Sequence, residues 1–220
     1  MAEIGGVLVV KPSQITGIDH ALVGVADLES ARLSYQKLGF TLTPRGRHIG
    51  WGTGNHTIMF ENDYVEMIAV IDRKQNTHNL EDFLQNGDGL FKVVLATNDA
   101  NATSTWIKKK SAKARDAQDL QRLLMINEKE ELLSFRYVHL PSELTPGLET
   151  FASQHLTPEK VRQPAWLSHP NGARGISEVT VVMEDLTDVA DSYAQIFGSK
   201  SISGDERKGS ITVDTGNDEL

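Results

Sequence analysis

The stretch Ile18-Asp19-His20-Ala21-Leu22-Val23-Gly24-Val25, followed by Asp27 and then by Leu28, Ala31, Tyr35 and Leu38, decides the reading of this chain. The first eight residues are mostly apolar and rich in strand formers. Asp27 is placed to cap a helix, and the apolar positions after it recur at helical spacing. Gly39 stops that helix. Phe40-Thr41-Leu42, Thr57 to Phe60 and Tyr64 to Val70 then read as three further strands, with Glu61-Asn62-Asp63 as the turn between the last two. The unit is βαβββ.

The same grammar returns further along. Ile176 to Met183, Asp185, the stripe Leu186, Val189, Tyr193 and Ile196, and a closing Gly198 repeat it; Ile18, Asp27, Leu28 and Tyr35 match Ile176, Asp185, Leu186 and Tyr193 at one constant offset. A fainter copy lies between, with Leu90 to Thr97, Asp99, a helix around Ala102 to Lys110, and strands Leu132 to Leu140 and Leu148 to His155. The expected fold is therefore α+β, with repeated βαβββ units forming curved mixed sheets and helices on the outside. Residues 1–156 form a paired domain, with units at about 17–71 and 90–156. Residues 157–175, holding Pro158, Pro164, Pro170 and the turn Asn171-Gly172, form a connector. Residues 176–220 form a third, partial unit, incomplete because the sequence reaches Asn217-Asp218-Glu219-Leu220 where a fourth strand should begin.

The balance of 22 Lys and Arg against 30 Asp and Glu, a formal net charge of −8 over 220 residues, excludes a generic nucleic-acid binder. The absence of cysteine excludes a disulfide framework, a thiolate metal site and a cysteine nucleophile, so any metal must be held by His, Asp or Glu. No stretch approaches the roughly 20 apolar residues of a membrane helix. Met1 to Val10 lacks a basic flank and a small-residue cleavage site, which predicts a cytoplasmic protein.

Alternation in Tyr64 to Val70 puts Tyr64, Glu66, Ile68 and Val70 on one face. Glu66 thus sits in an apolar row, where a bare carboxylate needs a cation, strong donors or a proton; an arginine partner or a water-facing edge would serve equally. His20 shares its strand face with Leu22 and Gly24, as a hydrogen-bonded core residue or as a ligand. His48, Trp51, Asn55 and His56 crowd a link rich in glycine (Gly46, Gly50, Gly52, Gly54), which is either a hairpin satisfying its own polar groups or a substrate loop approached closely by its ligand. His155, at the end of the second unit's last strand, is a candidate third ligand facing Glu66, unless a register shift of one residue turns its neighbour Gln154 inward instead. His169 reads as a cap of the Pro170-Asn171-Gly172 turn, and Glu178 as an exposed position or a ligand of a second site. Gly50-Trp51-Gly52-Thr53-Gly54 lacks the lysine and helix of a phosphate loop, and there is neither a nucleophile elbow nor a His-Glu-x-x-His helix.

With a His in the first strand and a Glu in the fourth, the chain resembles the vicinal oxygen chelate superfamily. Within it, it resembles glyoxalase-like proteins carrying Ile18-Asp19-His20, Leu38 to Pro44, Arg45 to His48, Gly52-Thr53-Gly54-Asn55, Tyr64 to Ile68 and His169 to Ala173. The resemblance implies paired βαβββ units around a divalent metal (Zn, Fe, Mn or Ni) that chelates two neighbouring substrate oxygens, each full unit supplying one ligand from its first strand and one from its fourth. His20 and Glu66 match. Lys92 and Gln154-His155 depart from the pattern in the second unit, and Glu178 stands at the His20 position of the third.

The expected protein is a metal-dependent lyase, isomerase or dioxygenase acting on a small, oxygen-rich molecule. Its metal ligands are His20 and Glu66, its catalytic residues Glu66 and His48, and its substrate contacts Trp51, Asn55 and His155. The alternative is a metal-free protein that binds or sequesters a small molecule in the same cavity. Because an odd third unit leaves an apolar face open, a homodimer built on it is expected.

Overall fold

The computed structural model describes residues 14–216, so the readings made on Met1 to Val10 and on Asn217 to Leu220 lie outside the described residues. The first half contains β1 (Gly17–Gly24), α1 (Leu28–Lys37), β2 (Gly46–His48), β3 (Thr53–Met59), β4 (Tyr64–Val70) and the short α2 (Leu80–Phe83). The second contains β5 (Gly89–Ala96), α3 (Ala100–Lys108), β6 (Gln118–Ile126), β7 (Lys129–Leu140) and β8 (Thr150–His155). After them come α4 (Pro158–Val161), α5 (Val189–Phe197), β9 (Ile202–Asp205) and β10 (Ser210–Val213).

The fold is mixed α+β, and the curved sheet that was expected closes on itself. Strands run in the order β1-β4-β3-β2-β6-β7-β8-β5 around a barrel, with β5 returning to β1. Closing eight strands leaves an interior wide enough for side chains or one small ligand. β1 lies parallel to β4, aligning Leu22 with Glu66, and antiparallel to β5; across the other seam His48 of β2 lies opposite Arg122 of β6. All seven residues of β3 are buried, because one face lines the interior and the other lies under helix α1.

Both expected caps form. The Asp27 carboxylate accepts from the Ser30 amide at 2.7 Å, and Asp99 accepts from Asn101 and Ala102, each at 2.9 Å. Outside the barrel, α1 covers Val25, Ile58 and Met67, while α3 brings Ile107 against Leu95, Leu140 and Ala152. No helix among the described residues is long and apolar enough to cross a membrane.

The strand assignments need correction in two places. Phe40-Thr41-Leu42 is not a strand: the Thr41 amide donates to His169 and its hydroxyl to the Ser168 carbonyl, so the 157–175 segment takes the partners a ladder would have used. The second strand is instead Gly46–His48, inside the glycine-rich link. His169 does close the Pro170-Asn171-Gly172 turn, its carbonyl accepting from the Gly172 amide at 2.9 Å, and its ring, buried between Phe40 and Phe60, bridges the Thr41 amide and the Met59 carbonyl.

Ile176 to Met183 forms no strand either; none of its residues is fully buried, and Val182 is 92% exposed. Beyond it, α5 does form, starting at Val189 rather than after Asp185, and Gly198 ends it with φ of +88°. Its apolar face packs back on the barrel: Ile196 joins Ile107, Leu140 and Leu144, and the Tyr193 hydroxyl donates to the Pro146 carbonyl at 3.1 Å. The apolar face of α5, one part of the surface on which a homodimer was expected, is thus covered within the chain.

Candidate active site

The barrel holds a cavity of about 610 Å³ that opens to solvent. Alternation delivers its walls as read from the sequence: Tyr64, Glu66 and Ile68 project inward from β4, and His20 and Leu22 from β1. His20 and Glu66 face the same concavity, both buried, with His20 Nε2 at 3.7 Å from Glu66 Oε2. His48, from the end of β2, brings Nε2 to 3.8 Å from the other carboxylate oxygen, Oε1.

Each of these groups is held from behind. The His20 Nδ1 pairs with Asp19 at 2.6 Å, and the imidazole stacks on Tyr64 with ring centres 4.2 Å apart. The His48 Nδ1 pairs with the Thr53 hydroxyl at 2.9 Å, and the Asn55 amide donates to Glu66 Oε1 at 2.8 Å. Burial works against a charge on Glu66, but the imidazoles of His48 and His20, the Arg122 guanidinium and the Asn55 amide outweigh it and hold the carboxyl below its ordinary range. Burial pushes His48 down to about 4, so it is neutral near pH 7. Burial also opposes the charge on Asp19, and His155 and His20 overcome it, so Asp19 stays well below the ordinary range.

The expected substrate contacts divide. Trp51 stands at the cavity wall, its ring 3.8 Å from that of His78. Asn55 is spent on Glu66. His155 does not meet Glu66: its Nε2 lies 3.0 Å from Asp19, so it stands behind His20 and stabilises the carboxylate that orients it. Gln154 turns outward to cap α3, accepting from the Ala100 amide. His56 points away from the cavity, to the Thr43 carbonyl and Glu29. Lys92 lines the cavity but is paired with Glu149 at 2.8 Å, and Glu178 is exposed.

The residue that sequence reasoning missed is Arg122, 2% exposed and inward-facing on β6. The signal was present: Leu120, Arg122 and Leu124 alternate toward Asn127-Glu128, both with positive φ, a tight turn into β7. Asp19, Tyr64, Tyr137 and His139 complete the polar surroundings and were likewise not assigned to the site.

His20 and Glu66 are donors of the right kind for a divalent ion, and Asp19 orients the imidazole as a metal-bound histidine is usually oriented. At 3.7 and 3.8 Å the donors are drawn toward one another without closing a shell. Among the described residues no three His, Asp or Glu side chains are gathered tightly enough to enclose an ion.

Comparison with known proteins gives the same picture of the fold. The chain resembles a hypothetical protein from Staphylococcus aureus at 16% identity and a TM-score of 0.55, covering 68% of this chain and 64% of that one, so it spans just under two thirds of that protein's length. It also resembles methylmalonyl-CoA epimerase from Mycobacterium tuberculosis, at 16% identity and a TM-score of 0.48, covering 70% and 98% of the two chains. A Streptomyces coelicolor methylmalonyl-CoA epimerase variant in complex with 2-nitronate-propionyl-CoA matches at 18% identity and 0.49, covering 64% and 99%. No curated protein matches. The glyoxalase-like domain matches residues 18–197, most of the chain, around the β1 histidine and β4 glutamate just described. On that match, which spans most of the chain, the chain belongs to the glyoxalase-like domain family.

Proposed function

We propose that the chain is a glyoxalase-like enzyme that moves a proton on a small, oxygen-rich molecule held in the barrel, with Glu66 as the base. The observation that carries this reading is the buried Glu66 at the cavity wall, one oxygen tied to Asn55 and the other, Oε2, facing His20 beyond hydrogen-bond distance, with its carboxyl held below the ordinary range. The Asn55 bond fixes the carboxylate plane, which leaves Oε2 to accept a proton from a carbon made acidic by a neighbouring carbonyl. Neutral His48 stands beside it. In the tautomer in which the Thr53 hydroxyl donates to Nδ1, His48 carries its proton on Nε2 and offers a donor to the oxygen where negative charge develops. Trp51 walls the substrate in.

His20 and Glu66 would hold a divalent metal, which when bound supplies Lewis-acid stabilisation of the same oxyanion. The open spacing of the donors supports a second reading, a metal-free protein that binds its small molecule in the same cavity.

Two measurements separate the readings. Protein purified without an affinity tag is incubated in deuterated water with a panel of small carbonyl compounds, and deuterium incorporation is followed by NMR; it is expected in the wild type and lost in Glu66→Gln. Incorporation that survives in Glu66→Gln removes Glu66 as the base. Thermal melts with Zn, Fe, Mn or Ni are expected to show stabilisation that Glu66→Gln abolishes, since a ligand of the native state stabilises by mass action. An equal shift in both proteins places the metal elsewhere.

A further inference from the structure

Arg122 touches none of the groups in the proton transfer just described and bears on Glu66 only from a distance. Its side chain is 2% exposed and lines the cavity, yet its Nε has no hydrogen-bond partner, and among the described residues no carboxylate forms an ion pair with it. Its recorded close neighbour is the Phe135 ring, 5.8 Å from the guanidinium carbon. Glu66 acts on it only at longer range. An arginine keeps its charge at any pH a folded protein survives, and an uncompensated buried charge is costly.

The backbone makes room for this arrangement. Gly46 on β2 sits where a Cβ would stand 3.1 Å from Arg122 Cδ and would collide with the Asn55 carbonyl oxygen. That oxygen is itself buried and unpaired. A neutral carbonyl beside the guanidinium does not neutralise it. Of the other cations that line the cavity, Lys92 is committed to Glu149 and Arg115 is exposed to solvent. Among the described residues the barrel therefore holds one buried guanidinium fork that no carboxylate binds directly, its charge met only at longer range by Glu66.

We propose that Arg122 is the anchor for a carboxylate on the ligand, so the molecule that occupies this cavity is a small organic monoacid bound through paired N–H···O contacts. This rests on the reading of the cavity as a substrate site and adds the substrate's class. A single charge matches a single fork; a phosphate monoester, with nearly two charges, would bring the excess against Glu66.

The test uses butyrate as probe, butyramide as its neutral isostere and methyl phosphate as the tetrahedral anion, on full-length protein treated with a chelator. The Arg122 Nε–H resonance is identified in ¹⁵N spectra by its loss in Arg122→Lys. Butyrate is expected to shift it saturably, butyramide to leave it in place, and methyl phosphate to bind at least tenfold more weakly than butyrate. Arg122→Gln should weaken butyrate at least tenfold, while Arg122→Met melts no lower than the wild type, because it removes an unpaired charge. Glu66→Gln should bind butyrate as well as the wild type or better, so loss of proton transfer at Glu66 and loss of the anion anchor are read separately. A resonance that butyrate leaves unmoved, equal binding of butyramide, or tighter binding of methyl phosphate overturns the proposal. So does a lower melting point of Arg122→Met accompanied by unchanged butyrate binding in Arg122→Gln, which would make the arginine a structural group.

Discussion

His48 shows how much a single buried side chain in this barrel costs and supplies. Its imidazole, pushed down to about 4 by burial, refuses a proton that the unfolded chain takes up near pH 6.5. Its contribution to stability is therefore whole above about pH 6.5 and is lost as pH falls toward about 4, by up to about 3 kcal/mol. In metal-free protein, His48→Gln is expected to flatten the pH dependence of unfolding in that window relative to the wild type, measured by urea denaturation at several pH values. Gly46 makes the complementary point about space. A methyl group there has nowhere to go but into Asn55 and the Arg122 stem, so Gly46→Ala is expected to cost about 1–3 kcal/mol and to loosen the Asn55 hold on Glu66. Equal stability of Gly46→Ala and wild type would show that the strand moves aside.

At the scale of elements, the hairpin joining β3 to β4 is tied to the segment after residue 157. The Asp63 carboxylate in that turn accepts from the Ile176 amide at 3.0 Å, and Arg162 donates to the carbonyls of Phe60 and Asn62. Burial pushes Asp63 up to about 6. Between about 4 and about 6 the folded chain keeps a proton the unfolded chain has released, so this group weakens the fold as pH rises through the window, opposite in sign to His48. Asp63→Asn, which keeps an acceptor for Ile176, is expected to raise the melting temperature near pH 7 and to change little near pH 4. A shift independent of pH would mean that Asp63 is ionised throughout.

For the whole molecule, the segment after 176 has two parts with different standing. Ile196 on α5 is in the core that α3, β7 and β8 share, while Val182 lies in the open. Ile196→Ala is expected to cost about 2–5 kcal/mol and Val182→Asp to stay within about 0.5 kcal/mol of the wild type, by chemical denaturation. Val182→Asp as damaging as Ile196→Ala would mean that residues 176–183 are buried in solution, as a strand would be. The α5 packing also explains why a third unit need not seek a second chain to cover its apolar face.

The sequence by itself determined what depends on neighbours along the chain. Alternation put His20, Glu66 and their apolar companions on one face, and Asp27, Asp99 and Gly39 marked helix ends, because a strand has period two and a helix end needs a local cap. Only the tertiary structure decided the rest. Phe40 to Leu42 lost its strand to a segment more than a hundred residues away, and His155 reached Asp19 instead of Glu66 because β7 and β8 set its position. Arg122 entered the site through the β2–β6 seam, a pairing fixed by closure of the barrel. Ile176 to Met183 carries the letters of β1 but, with no ladder offered to it, stays out of the sheet; hydrogen-bond partners distant in sequence, which no local pattern names, make that choice.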